Sequence, residues 1–383
     1  MSPEATGVYE KLARHLDDLP GGYPATPNGV ELRILRRLFT PEDAALALHL
    51  TLIPEEARVV ALRAGLPLDE AERRLASLER KRLVSVSETG GRPRYMASQF
   101  IVGFWEAQVD RLTPELVRDV EEYLPYVFDA DVWRKMPQMR VIPVGQSLTV
   151  RSEVMPYEQA GELVRQGDGR LSVSNCICRQ EQRLLGKGCE KPLASCLGIG
   201  MAADALTRSG RGRPITTRQA LDVLRLADES GLVLQAANSR QAVFLCTCCG
   251  CCCGVLRSLK RREAPADYVS TPFVAQLAAD TCQGCGTCET RCQMEAIAVC
   301  DGTARLDPRR CLGCGLCVHT CPSGSLALVR KPESQQPKVP RTIVDNYLKL
   351  GQVRGRLRLP QLIGLQARSK LDRWRARASP DQS

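Results

Sequence analysis

Apolar residues in the N-terminal part of the chain recur three and four apart, and proline, acidic residues and glycine mark where each run starts and stops. Val30 to Leu38 predicts one helix, and Pro41-Glu42-Asp43 opens a second. Ile53-Pro54-Glu55-Glu56 predicts the start of a third, with proline and acids in the first turn, where the helix dipole favours them. Gly65 stops it. Leu68-Asp69-Glu70-Ala71 starts the next, and Ala71, Leu75 and Leu78 are spaced for one buried face. Leu83-Val84-Ser85-Val86, a Gly90-Gly91 turn and Arg94-Tyr95-Met96 then predict strand, turn and strand. From 101 to 140, Phe104, Trp105 and Leu112 to Tyr126 predict helices leading into the next segment.

Further along, Leu171-Ser-Val-Ser-Asn175 alternates as a strand does, and Ala242-Val-Phe-Leu245 predicts another. Residues 331 to 340, with three prolines and two glutamines, form a linker. Thr342 to Arg377 is amphipathic and is interrupted by Pro360. Its apolar positions are Ile343, Val344, Tyr347, Leu348, Leu362, Ile363, Leu371 and Trp374. Arg354, Arg356, Arg358, Arg368, Arg373, Arg375 and Arg377 supply charge, so the tail is a candidate for a membrane surface or a partner helix.

The order of elements over residues 30 to 100 looks like the winged helix-turn-helix module of many bacterial regulators. That resemblance implies either DNA binding or protein docking. The candidate reading helix carries Arg73, Arg74, Arg80, Lys81 and Arg82 but opens with Asp69, Glu70 and Glu72, which would meet phosphates or bases unfavourably. Docking is therefore the stronger expectation.

A length of 383 residues leaves room for two or three domains. Met1 to Asp18 is polar and amphipathic rather than a secretory leader, and no apolar run approaches the roughly 18 residues of a membrane span. A cytoplasmic, low-oxygen setting is the expectation. The formal charge of +10 is concentrated beyond Lys331 and bears on partners rather than on fold. The 19 cysteines change the picture most, because clustered thiols in an intracellular chain are built for metal rather than for disulfides.

Eight of them form two copies of one phrase. These are Cys282-x2-Cys285-x2-Cys288-x3-Cys292 and Cys311-x2-Cys314-x2-Cys317-x3-Cys321-Pro322. Three thiolates two residues apart can wrap one corner of an iron–sulfur cube, and in this bacterial run the fourth ligates the other cluster. One cluster is then expected on Cys282, Cys285, Cys288 and Cys321, and the other on Cys311, Cys314, Cys317 and Cys292. Glycines 284, 286, 313 and 315 are expected where a Cβ would crowd the cluster. Asp280-Thr-Cys-Gln-Gly-Cys-Gly-Thr-Cys288 and Cys311-Leu-Gly-Cys-Gly-Leu-Cys-Val-His-Thr-Cys-Pro322 resemble the bacterial-type ferredoxin with two [4Fe-4S] clusters, over about 275 to 330. The resemblance implies one-electron transfer. Gln293 stands where such domains usually have proline. Cys300 reads as a packed core thiol, and His319 as a loop residue beside a cluster rather than a ligand.

Ten more cysteines lie in the middle of the chain. Cys176, Cys178, Cys189 and Cys196 are the complement of one further iron–sulfur cluster or one zinc, and a mixed site drawing on both groups is the other arrangement. Arg179 is expected to be solvated or to donate hydrogen bonds to sulfur. Cys246, Cys248, Cys249, Cys251, Cys252 and Cys253 cannot all serve one centre, since adjacent side chains diverge. Some of these are expected to bind metal. The alternative is a thiol relay on Cys248/Cys251 and Cys249/Cys252. Gly198-Ile-Gly200-Met-Ala-Ala203 matches a dinucleotide phrase but lacks a clear preceding strand, and reads as a helix start beside a metal site. With histidines only at 15, 49 and 319, no Ser–His–Asp set can be argued.

The expected fold class is α+β multidomain. Its parts are a winged-helix-like helical domain (1–139), a cysteine-rich α/β middle domain (140–265), a two-cluster ferredoxin domain (266–330) and a linker with a basic helical tail (331–383). The expected function is electron transfer with a redox partner protein, through two [4Fe-4S] clusters and a third iron–sulfur cluster or zinc. A redox-sensing DNA-binding regulator and a docking subunit of a larger oxidoreductase are the alternatives.

Overall fold

Thr40 accepts the Asp43 amide at 3.2 Å while Asp43 accepts the Thr40 amide at 3.0 Å, a capping box that starts the helix Pro41–Ala47. Gly65, at φ 64°, closes the helix Ala57–Ala64 in the left-handed region that glycine enters freely. Ala71, Leu75 and Leu78 are the buried face of the helix Leu68–Arg80. That helix leads into an antiparallel hairpin, β1 (Val84–Thr89) and β2 (Arg92–Ala97). The expected opening of the third helix is corrected. Its first residue is Ala57, and Glu55 lies before it, bridged through its backbone to Tyr95. The Glu55 carboxylate is buried at 1 % exposure and takes Arg63 at 2.5 and 2.8 Å and Ser369 at 2.6 Å. It is there for an ion pair, not for the dipole. Residues 100 to 104 are likewise no regular helix, because Ile101 is extended and Val102 has φ 55°. The helix expected near Leu112 to Tyr126 runs Pro114–Val127.

The computed structural model describes residues 3–148 and 154–378. The chain divides into two units, one of residues 1–127 with 348–383 and one of Phe128–Tyr347. In the first unit the tail helix Leu359–Ala378 begins at Pro360's own turn, and the break falls before it, where Gly355 has φ 71°. Its inward face is polar or small: Ser369, Asp372 and Ala376 are buried, with Asp372 2.6 Å from Arg63. Leu359, Ile363, Leu371 and Trp374 face outward. No helix among the described residues is long and apolar enough to cross a membrane.

The second unit is built on six strands, β3 (Met139–Ile142), β4 (Leu171–Asn175), β5 (Ala194–Ile199), β6 (Gly212–Pro214), β7 (Val233–Ala237) and β8 (Phe244–Cys248). Their order is β3-β7-β8-β5-β4-β6, and every ladder is antiparallel. The middle segment is therefore α+β rather than the expected α/β, which would need parallel strands and crossovers. A clear strand, β5, does precede Gly200, contrary to the sequence reading. It is not the first strand of a dinucleotide fold, because its partners run antiparallel. A Cβ on Gly198 would stand 2.6 Å from Leu206 and 3.1 Å from Ala203, so this glycine serves close packing of the helix Met201–Arg208 on the sheet.

The same unit continues with β9 (Phe273–Leu277), the hairpin β10 (Ile297–Cys300) and β11 (Thr303–Leu306), and β12 (Leu326–Arg330), which pairs with β9. Ala275, Ile297, Ala304 and Leu326 pack with Cys288, Cys311 and Cys317 in one small core. Cys300 is exposed, not packed as expected. It ends β10 at the Asp301-Gly302 turn, where the alternation along the strand turns its side chain outward.

Candidate metal centres

The two cysteine phrases occupy the loops on either side of the β10–β11 hairpin. Cys282, Cys285, Cys288 and Cys321 line one cavity. Cys311, Cys314 and Cys317 each feel the charge of Cys292, the last cysteine of the other phrase. Backbone amides aim at the sulfurs: Ala304 N–H to Cys282 at 3.4 Å, Ala296 to Cys292 at 3.2 Å, and Ala275 to Cys311 at 3.4 Å. Such bonds favour thiolate over thiol. Gly284 and Gly313 have φ 63° and 64°, and a Cβ on either would meet a neighbouring carbonyl, of Gly302 or Phe273, at 2.2 Å. What these glycines avoid is the protein's own backbone.

The two quartets differ in setting. Cys285 is exposed, and hydrogen bonds from Thr287 lower its pKa. Burial pushes Cys314 up to about 12, and Cys311 and Cys317 are buried beside it. The second quartet faces the sheet: Val144 donates to the Cys314 carbonyl at 2.9 Å. Asp228 accepts Arg291 at 2.9 Å and lies 3.3 Å from His319, which explains that histidine as a packing contact. Gln293 also reaches across. Its Oε1 accepts the Gly250 amide at 2.8 Å, and a Cβ on Gly250 would stand 2.2 Å from the Gln293 carbonyl. Proline, usual at this position in the resembling domains, could not make the side-chain contact. Gln293, next after Cys292, thus touches Gly250, between Cys249 and Cys251, directly.

The middle cysteines are partitioned in a way their spacing did not express. The grouping of Cys189 with Cys176, Cys178 and Cys196 gives way to the other arrangement, in which cysteines of both groups come together. Cys189 stands 3.6 Å from Cys252 and 3.9 Å from Cys249, and Cys251 is 3.7 Å from Cys252. All four sulfurs lie within 4.8 Å of one another, and no other group of three or more such ligands closes that tightly among the described residues. Arg183 donates to the Cys189 carbonyl at 3.2 Å and fixes its loop. Cys196 is instead opposite Cys246, because Leu197 pairs with Leu245 in the β5–β8 ladder, and their sulfurs are 4.0 Å apart. Hydrogen bonds from Cys252 hold Cys249 down to about 4, and those from Cys246 and Cys253 hold Cys248 down to about 6. Each group therefore contains one thiol that ionises readily, the state that binds metal.

Arg179 was not recognisable as a core residue. It is 0 % exposed, on the helix Ile177–Leu184, and donates to the Thr247 carbonyl at 3.0 Å, to the Thr247 hydroxyl at 3.2 Å, to Ser195 and to the Cys249 sulfur at 3.9 Å. Burial pulls its pKa down, and the charges of Cys176, Cys249 and Cys248 overcome that. A guanidinium without water requires anions nearby, and sulfur supplies them.

A family model of the 4Fe-4S binding domain matches residues 304–326, which include all of the second phrase. No curated protein and no solved structure matches the chain. The match and the geometry together give an α+β multidomain protein that carries an iron–sulfur domain of ferredoxin type beside a cysteine-rich sheet.

Proposed function

We propose that the chain is an electron-transfer protein in which a two-cluster ferredoxin domain feeds a metal centre in the cysteine-rich sheet domain. Cys282, Cys285, Cys288 and Cys321 would hold the outer [4Fe-4S] cluster, and Cys311, Cys314, Cys317 and Cys292 the inner one. A cubane cluster moves one electron with little ligand movement, its potential set by burial and hydrogen bonds to sulfur. The exposed quartet is the entry for a redox partner protein. The observation that carries this reading is the hydrogen bond from Gly250 to Gln293 at 2.8 Å. It joins Gln293, the residue that follows the first phrase, to the glycine between Cys249 and Cys251.

The N-terminal unit reads as a winged-helix docking module for that partner rather than a DNA reader. Arg73 and Arg74 are each paired with an acid one turn earlier, Asp69 and Glu70, and Lys81 with Asp43. Little unpaired charge is left on that helix for phosphate.

The test is anaerobic reduction by a low-potential one-electron donor, followed by freeze-quench EPR. Signals of the two ferredoxin clusters are expected first and a middle-domain signal after them. Cys285→Ala is expected to delay the later signal. A middle-domain signal that appears at an unchanged rate in that variant overturns the wire.

A further inference from the structure

Four of the ten middle cysteines are closed around a point, and the other six are not. For one ion bound tetrahedrally by thiolates at about 2.3 Å, simple geometry sets the sulfurs about 3.8 Å apart. Cys189, Cys249, Cys251 and Cys252 show 3.6, 3.7 and 3.9 Å along three edges. A cube of four irons separates its thiolates much further, because each sulfur stands off a different corner. Neither ferredoxin quartet closes within the 4.8 Å that encloses the middle quartet.

Of the remaining six, Cys196 and Cys246 stand 4.0 Å apart, and Cys176 with Cys178, Cys178 with Cys253, Cys253 with Cys248 and Cys248 with Cys246 lie near enough to shift one another's ionisation, without closing around a point. Cys246 and Cys248 share one face of β8 because strand side chains repeat every two residues. Cys249, next along, falls to the other group, and so Cys248 and Cys249 serve different sites. The pair Cys252 and Cys253 divides the same way, Cys253 sitting at the cap of the helix Gly254–Lys260. Consecutive Cα atoms are about 3.8 Å apart, so the two sites are joined back to back at two peptide bonds. Gln235 reaches Cys253 at 3.8 Å from β7, opposite Cys246 in the ladder.

We infer that the ten cysteines divide into a zinc site on Cys189, Cys249, Cys251 and Cys252 and an iron–sulfur cluster site on Cys176, Cys178, Cys196, Cys246, Cys248 and Cys253. This rests on the wire reading and names its terminus as the six-sulfur group. The zinc site has no redox role. It ties the loop that Gln293 touches to the sheet, and its thiolates together with those of the cluster are the anions that Arg179 faces. Six sulfurs exceed the four that a cubane needs, and leave two thiols at the cluster that are not committed to ligation.

The experiment is metal and sulfide analysis of the full chain, expressed with iron and zinc supplied and purified without oxygen, with X-ray absorption at the zinc edge. Wild type is expected to hold about twelve irons and about one zinc, with four Zn–S distances near about 2.3 Å. Cys252→Ser is expected to lose the zinc, and Cys248→Ser and Cys253→Ser about four irons with the zinc retained. The eight ferredoxin irons and their EPR signals report that each variant has folded. Iron in place of zinc in the quartet, no zinc in wild type, or no iron lost from the Cys248 and Cys253 variants overturns the division. The wire is judged separately, by the reduction kinetics of the middle signal.

Discussion

Gly250→Ala tests the junction between the ferredoxin domain and the sheet domain at its tightest point. The added methyl would stand 2.2 Å from the Gln293 carbonyl oxygen and 3.2 Å from its carbon, both backbone atoms that no rotamer change can move. Relief needs a separation of about 1 Å, the kind of overpacking that costs about 1–3 kcal/mol. The same movement stretches the 2.8 Å hydrogen bond from the Gly250 amide beyond hydrogen-bond reach. Its loss adds about 0.5–1.5 kcal/mol. The sum, about 1.5–4.5 kcal/mol, lowers the melting midpoint of the Phe128–Tyr347 unit by about 3–18 °C, since a domain of that size shifts by about 2–4 °C per kcal/mol. Gln293→Ala removes only the side-chain acceptor and is expected to cost about 1 kcal/mol. Anaerobic thermal melts of the metal-loaded proteins give the order, and stopped-flow reduction shows whether the middle centre also slows. If Gly250→Ala is no more destabilising than Gln293→Ala, the close backbone approach is wrong and the route through it fails.

Arg179→Met removes a buried guanidinium and leaves the Thr247 and Ser195 acceptors unpaired beside anionic sulfur. It is expected to cost about 3–5 kcal/mol and to make the middle-domain potential more negative, which a redox titration followed by EPR would show. In the N-terminal unit, Arg63→Met strands the Glu55 carboxylate at 1 % exposure and is expected to cost about 3–5 kcal/mol in urea unfolding. The double variant with Glu55→Met should recover part of that loss, Asp372 still lacking Arg63, and no recovery would deny the Glu55 pairing. Burial lowers the pKa of His15, whose Nε2 meets the Leu50 carbonyl at 2.9 Å. The unfolded chain therefore binds the proton more readily, so this stability is complete above about pH 6.5 and is lost as pH falls from there through the lowered folded pKa. Urea midpoints should drop as pH falls below about 6.5, and His15→Gln should flatten the drop.

Local spacing determined a good deal of this molecule by itself. Helix ends at Thr40 and Gly65, the buried stripe Ala71-Leu75-Leu78 and the Gly90-Gly91 turn all follow from neighbours within a few residues, as the structure has them. The ferredoxin phrases are legible for the same reason, since cysteines two residues apart are bound to meet whatever the rest of the chain does. Which middle cysteines stand together was not legible. Cys189 meets Cys249 across 60 positions, and Cys196 meets Cys246 only because Leu197 and Leu245 are in register. A shift of one residue in that ladder would have turned Cys246 to the other face. Cys300 was misjudged on the same grounds, and neither the burial of Arg179 nor the contact of Gln293 with Gly250 could be read locally, because exposure, burial and docking depend on what folds against a residue. Which sulfurs stand together was decided by strand register and by adjacent side chains diverging, and both belong to the tertiary structure.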